Sequence, residues 1–137
     1  MLSESSEHVL RALTWIAALP RQDAVAAGDI AAGAKVPRRY LSKILARLTR
    51  SGVLEARRGV NGGYRLARPA NRIHLIDVVG PFEPTLGNDS CVFGGGRACG
   101  DRNQCAVHKD WGRIREALLR FLEHTTLAEI ANPGGKK

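Results

Sequence analysis

The chain has 137 residues, of which 44% are apolar, and its formal net charge is +8 at pH 7. This length fits one compact domain and excludes a multidomain enzyme. The polar first residues lack the apolar core of a signal peptide, and no stretch approaches the roughly 18 apolar residues of a membrane span, so we expect a cytoplasmic protein without a membrane partner.

Three helices are predicted in the N-terminal half. The first has apolar residues at helical spacing and begins with Ser6 as its cap. A short second helix begins at Asp29, and a third spans Pro37 to Arg50 and stops before Gly52. Two short helices joined by a tight turn indicate a helix-turn-helix.

A β-hairpin is predicted after the third helix. Strand-like runs at 53–57 and 63–67 flank the turn 58–62, whose glycines and asparagine tolerate positive φ. One more short helix is predicted at 73–79. The order of these elements predicts a mainly α fold, a winged helix-turn-helix domain with a β-hairpin wing.

The C-terminal part combines a glycine-rich loop at 83–104 with a long helix at 107–123. Thr126 and Glu129 are spaced as the capping box of a short last helix. The long helix carries one apolar stripe formed by Trp111, Ile114, Leu118, Phe121 and Leu122.

The positive charge is concentrated in one central segment. Residues 35–72 hold eleven Lys and Arg and a single acid, Glu55, so their net charge is +10, whereas 1–34 carry −2 and 73–137 are neutral. Such a footprint suits a polyanion, and double-stranded DNA is the leading partner. An anionic membrane surface is the alternative, but no long amphipathic segment with bulky aromatic residues supports it.

Basic residues line the outward side of the predicted third helix and the tip of the hairpin. A helix of this kind fits the major groove, while the arginines of the wing can enter a narrow minor groove. A solvated basic face is the alternative reading of the isolated helix, but the adjacent basic wing favours DNA. The predicted DNA-binding residues are Arg38, Arg39, Ser42, Lys43, Arg47, Arg50, Arg57, Arg58, Asn61 and Arg65.

The three cysteines indicate a metal or thiol site. Seven residues separate Cys91 from Cys99, five separate Cys99 from Cys105, and His108 follows after two more. The spacing leaves an iron–sulfur cluster, structural zinc and a redox switch of free thiols open. No general acid/base pair, nucleophile setting or phosphate-binding loop accompanies the cysteines, so we do not expect an enzyme.

Three strings resemble one known family: VLRAL at 9–13, YLSKILARL at 40–48 and RGVNGGYRLA at 58–67. The sequence is similar to the bacterial winged-helix regulators that include the iron–sulfur cluster regulator IscR, the nitric-oxide-sensing repressor NsrR and the iron regulator RirA. The resemblance implies a homodimer that pairs through 107–123 and places Arg39, Ser42 and Lys43 among the base-reading positions. The implied divisions are a DNA-binding domain at 1–80, a cluster-binding loop at 81–106, a dimerisation helix with a short last helix at 107–131, and a flexible tail at 132–137.

The resemblance also favours an iron–sulfur cluster on Cys91, Cys99 and Cys105. Its fourth ligand would be His108, as in two-iron members, or Glu7 from across the dimer, as in four-iron members, and His8 beside Glu7 is a further candidate. We therefore expect a transcriptional repressor that senses iron–sulfur status, nitric oxide or redox state. The alternative is a cluster-free regulator of the same fold that responds through thiols, a small molecule or a protein partner.

Overall fold

The structure, a computed structural model, describes residues 2–86 and 106–132. It confirms a mainly α fold with a two-stranded hairpin. Within the described residues the helices and strands are α1 Glu4–Ala17, α2 Ala27–Ala34, α3 Arg38–Arg50, β1 Leu54–Arg57, β2 Gly63–Leu66, α4 Leu75–Val79, α5 His108–His124 and α6 Leu127–Ala131.

The first helix begins one turn earlier than its sequence predicts. Ser3 is the N-cap and accepts a hydrogen bond from the backbone N–H of Ser6 at 3.2 Å. The predicted cap, Ser6, is instead buried, and its hydroxyl donates to Oε1 of Glu83 at 2.7 Å. Several serines near the start of the chain could cap a helix, and the sequence does not distinguish between them.

The second helix also begins earlier, at Ala27, and Asp29 lies in its first turn without capping it. A bridge to the hairpin fixes the chain just before this helix. The N–H of Val25 donates to the carbonyl of Tyr64 at 2.8 Å, and the N–H of Tyr64 donates back at 2.9 Å. The hairpin is therefore attached to the segment between α1 and α2.

The hairpin matches its prediction closely. Strands β1 and β2 pair antiparallel, with Leu54 opposite Leu66 and Arg57 opposite Gly63. In the turn, Asn61 adopts a φ of +64°. A side chain at Gly62 would bring its Cβ within 2.4 Å of the Arg57 carbonyl oxygen. The turn geometry therefore depends on a glycine at this position.

The two C-terminal helices complete the core of the domain. Leu122 at the end of α5 and Leu127 in α6 are fully buried with the apolar faces of α1, α3 and α4. The junction of α5 and α6 is tied to the start of α4, since the N–H of Leu127 donates to the carbonyl of Ile73 at 2.7 Å. The predicted capping box of Thr126 and Glu129 is present.

Helix α5 divides its apolar residues between two directions. Leu118 and Leu122 pack against the core, whereas Ile114 is 48% exposed and Phe121 is 53% exposed. The helix therefore buries one edge of the predicted stripe against its own domain and leaves the other edge exposed. Among the described residues no helix is long and apolar enough to cross a membrane.

Candidate nucleic-acid interface

Helix α3 separates apolar and basic side chains onto opposite sides. Leu41, Ile44, Leu45 and Leu48 are buried, which fixes the rotation of the helix against the domain. The opposite side is solvent-exposed. It carries all six residues predicted on this helix: Arg38, Arg39, Ser42, Lys43, Arg47 and Arg50.

The start of α3 is ordered by an aromatic stack. The Arg39 guanidinium lies 4.8 Å from the ring centroid of Tyr40, and that ring stacks on His8 of α1 at 5.2 Å. Tyr40, which its periodicity places in the core, is only partly buried because its ring lies between the basic surface and α1. A guanidinium stacked by its face keeps its N–H edge free for phosphates or bases.

The wing presents its exposed cations around the turn. Arg57, Arg58 and Asn61 are solvent-exposed. Arg65 differs from the other predicted residues because its Nε donates to Oε1 of Glu55, its cross-strand neighbour. A phosphate would have to compete with this carboxylate for Arg65.

Several of the basic residues have no acidic partner among the described residues. Within residues 2–86 and 106–132, Lys43, Arg50 and Arg58 form no ion pair. The first turn of α3 contains no acid that would repel an approaching phosphate. An unpaired cation gains more from a polyanion than one already neutralised by the protein. Helix α3 and the wing therefore form a cationic surface suited to duplex DNA.

The predicted metal ligands are only partly within the described residues. Cys91, Cys99 and Cys105 lie outside them, so their arrangement relative to His108 and Glu7 is not given by the structure. In the described part of the chain, no group of three or more His, Cys, Asp or Glu residues could hold a metal ion.

The candidate fourth ligands differ in accessibility. Glu7 is exposed in the first turn of α1, at the edge of an open cleft lined by Leu10 and Trp15. His108 is the first residue of α5 and is partly exposed. His8 is only 6% exposed, with its ring stacked inside the domain on Tyr40. Glu7 and His108 are thus more accessible than His8, and binding to His8 would disrupt the packing between α1 and α3.

Glu83 is a feature that sequence reasoning missed. It is 8% exposed, and its carboxylate accepts hydrogen bonds from the Ser3 N–H and the Ser6 hydroxyl. Burial alone raises the pKa of Glu83, but these hydrogen bonds outweigh it and lower the pKa below its ordinary value. Nothing in the sequence distinguishes this acid from a solvated one at the start of a loop.

Comparison with known proteins assigns the family. The family model Rrf2, described as an iron-dependent transcriptional regulator, matches residues 2–133. CymR (YrzC), the global cysteine regulator of B. subtilis, superimposes with a TM-score of 0.77 at 25% identity and 97% coverage of both chains. IscR of T. potens has a TM-score of 0.75 at 22% identity, covering 99% of this chain and 89% of its own.

A second CymR structure, from Staphylococcus aureus, has a TM-score of 0.71 at 25% identity and covers 94% of this chain and 96% of its own. The solved structures share the fold, and the family model spans nearly the whole sequence. Members of this family are regulators of transcription rather than enzymes. The chain belongs to the Rrf2 family and is a DNA-binding transcriptional regulator.

Proposed function

We propose that the protein is a homodimeric repressor that places α3 in the major groove of its operator and the wing in the adjacent minor groove. The observation that carries this proposal is the exposed face of α3 beside the wing, where Lys43, Arg50 and Arg58 form no ion pair with any residue of 2–86 and 106–132. A cationic helix that protrudes from a packed domain has the shape that groove binding requires.

The predicted residues divide by role. Arg39, Ser42 and Lys43 lie on the N-terminal half of α3, the end that usually enters the groove, and would contact base edges. Arg38, Arg47 and Arg50 would bind phosphates and fix the register of the helix. On the wing, Arg58 would enter the minor groove, with Arg57, Asn61 and Arg65 contacting the adjacent backbone.

The outward side of α5 is the proposed dimer contact. Ile114 and Phe121 are seven residues apart, two helical turns on one face, and each exposes about half of its surface. Large apolar side chains exposed in this way favour burial against a partner. In a two-fold dimer both copies of α5 would present the same residues, which would bring two α3 helices to one side of the duplex.

An iron–sulfur cluster is the proposed sensor. Cys91, Cys99 and Cys105 would hold it with His108 or Glu7, which are exposed enough to ligate and of donor types that such clusters accept. When bound, the cluster supplies a centre sensitive to redox state and nitric oxide. A ligand set that favours one arrangement of the loop shifts the protein toward the conformation with that arrangement. The family description as iron-dependent supports this cofactor.

The cluster-free alternative keeps the same fold and DNA surface. It is favoured by the similarity to CymR, which is described as a cysteine regulator and not as an iron-dependent one. In that case the three thiols, a small molecule or a protein partner would provide the response. Iron and sulfide analysis of anaerobically purified protein distinguishes the cluster hypothesis from the cluster-free one, because only a cluster requires both elements to be bound to the chain.

The DNA-binding proposal is tested by selecting duplexes from a random pool and comparing Lys43→Ala with Arg58→Ala. Lys43→Ala should weaken binding to the selected duplex by about 10- to 100-fold and change binding to a scrambled duplex much less. Arg58→Ala should weaken both to similar extents, since minor-groove and phosphate contacts carry less sequence information.

Lys109→Ala, which removes an exposed lysine from α5, is the control with the same change in net charge. It should leave both dissociation constants nearly unchanged. A wild-type protein that enriches no sequence contradicts operator binding. Equal losses on both duplexes for Lys43→Ala would show that α3 does not read bases.

A further inference from the structure

A buried carboxylate joins the segment after α4 to the start of α1. Glu83 accepts from the backbone N–H of Ser3 and from the Ser6 hydroxyl at 2.7 Å, and Ser3 is the N-cap of α1. The negative charge thus lies at a helix N-terminus, where it is favoured by the unpaired N–H groups and the helix dipole. These contacts, between residues at least 77 positions apart, hold residue 83 in one place.

The preceding residue, Phe82, contacts the exposed side of the recognition helix. The Arg47 guanidinium carbon lies 5.4 Å from the centroid of the Phe82 ring. The carbonyl of Phe82 also accepts a hydrogen bond from the Ser3 hydroxyl at 3.4 Å. Two consecutive residues therefore connect the start of α1 to a cation on the outer face of α3.

The contact orders Arg47 without consuming its donors. A guanidinium on a ring interacts through its face, and its N–H groups point outward in the guanidinium plane, free to bind phosphate. Arg47 is solvent-exposed, so without the ring its long side chain would sample many rotamers and lose more entropy on binding DNA. A fixed Phe82 ring reduces that loss.

We propose that Phe82 and Glu83 are positioning residues for DNA binding: Glu83 fixes Phe82 against α1, and Phe82 orients Arg47 toward the phosphate backbone. The inference rests on the proposed use of α3 as the DNA-reading helix.

A double-mutant cycle tests this positioning on the full-length protein and the selected duplex at fixed ionic strength. Phe82→Leu should raise the dissociation constant by about two- to tenfold, the range expected for the entropy of immobilising one long side chain. In the Arg47→Ala background the same change should have no effect, because its target is gone. Phe82→Tyr, which keeps the ring, should bind like the wild type.

Glu83→Gln should follow the same pattern, weakening binding only when Arg47 is present. Its matched control is Glu129→Gln, which disturbs the carboxylate of the capping box on α6 and does not belong to the contacts that join Glu83, Phe82 and Arg47. The factors by which Glu129→Gln and Arg47→Ala each change the dissociation constant should multiply in the double variant. Thermal unfolding of each variant checks that the fold is retained.

The proposal is overturned if Phe82→Leu leaves the dissociation constant unchanged. It is also overturned if Phe82→Leu raises the dissociation constant by the same factor in the Arg47→Ala background as in the wild type. Should Phe82→Leu fail to fold, the Glu83→Gln cycle with Arg47→Ala decides in the same way. Failure of the proposed function looks different, since the wild type would then select no duplex at all. A wild type that binds its duplex together with a multiplicative cycle refutes only the positioning role.

Discussion

Replacing Phe121 by alanine should dissociate the proposed dimer. The side chain is 53% exposed on α5. If a fully exposed phenylalanine offers about 200 Å², roughly 100 Å² remains for burial by a partner. At about 25 cal/mol per Å² this contributes roughly 2.5 kcal/mol, and a two-fold interface contains the residue twice. Truncation should therefore cost about 5 kcal/mol and raise the dimer dissociation constant roughly 4,000-fold.

Analytical ultracentrifugation over a wide concentration range measures that constant directly. Val60→Ala is the matched control, because Val60 is 94% exposed but lies in the wing turn rather than on α5. It should leave the dimer intact. A Phe121→Ala dimer less than about tenfold weaker than the wild type would show that this face of α5 is not the contact. A wild-type chain that stays monomeric at micromolar concentration and on operator DNA would refute dimerisation altogether.

Two further predictions concern the sensor and the buried acid. Cys105→Ala should purify colourless and folded, without bound iron or sulfide. Of His108→Ala and Glu7→Ala, only the variant that removes the true fourth ligand should have a labile cluster. An unchanged iron content after replacement of all three cysteines would rule out this site. Because the folded-state pKa of Glu83 lies below its ordinary value of 4.5, its stabilising contribution is present above that value and is lost as pH falls through the folded pKa. Urea unfolding should therefore show Glu83→Gln to be about 1.5–3 kcal/mol less stable than the wild type near neutral pH, with no difference in strong acid; a pH-independent gap contradicts this.

The sequence predicted those features that depend on neighbouring residues. The apolar spacing of α3 places Leu41, Ile44 and Leu48 inside, and the structure buries all three. The hairpin follows from a turn in which Asn61 has positive φ and Gly62 has no room for a side chain. Both are local rules of sterics and helical periodicity, so they can be read from a few consecutive residues.

Features that depend on distant contacts could not be predicted in this way. Ser3 rather than Ser6 caps α1, and the Ser6 hydroxyl instead donates to Glu83, 77 positions away. The pairing of Val25 with Tyr64 joins segments 39 positions apart, and a single bridge leaves no periodic signal. Of the candidate DNA residues all but Arg65, which is half-buried, are exposed, and individual partners such as Glu55 for Arg65 depend on cross-strand register.

The ion pairs of the central segment, residues 35–72, show how much of its positive charge is compensated within the protein. Its net charge of +10 already counts Glu55, the partner of Arg65, whereas Arg68 lies 3.7 Å from Asp77, which falls outside the segment. Ion pairs among residues 2–86 and 106–132 therefore remove little of the excess.

The aromatic contacts do not neutralise charge at all; they order it. Arg39 and Arg47 of α3 each have a ring beside them, and a planar guanidinium can lie on a ring while its edge faces DNA. Lys43, among the described residues, has neither ring nor carboxylate beside it and remains a mobile, hydrated point charge. In the proposed complex α3 would thus contact base edges with a ring-oriented cation, Arg39, and a cation without a ring, Lys43, while the ring-oriented Arg47 would bind phosphate and fix the register.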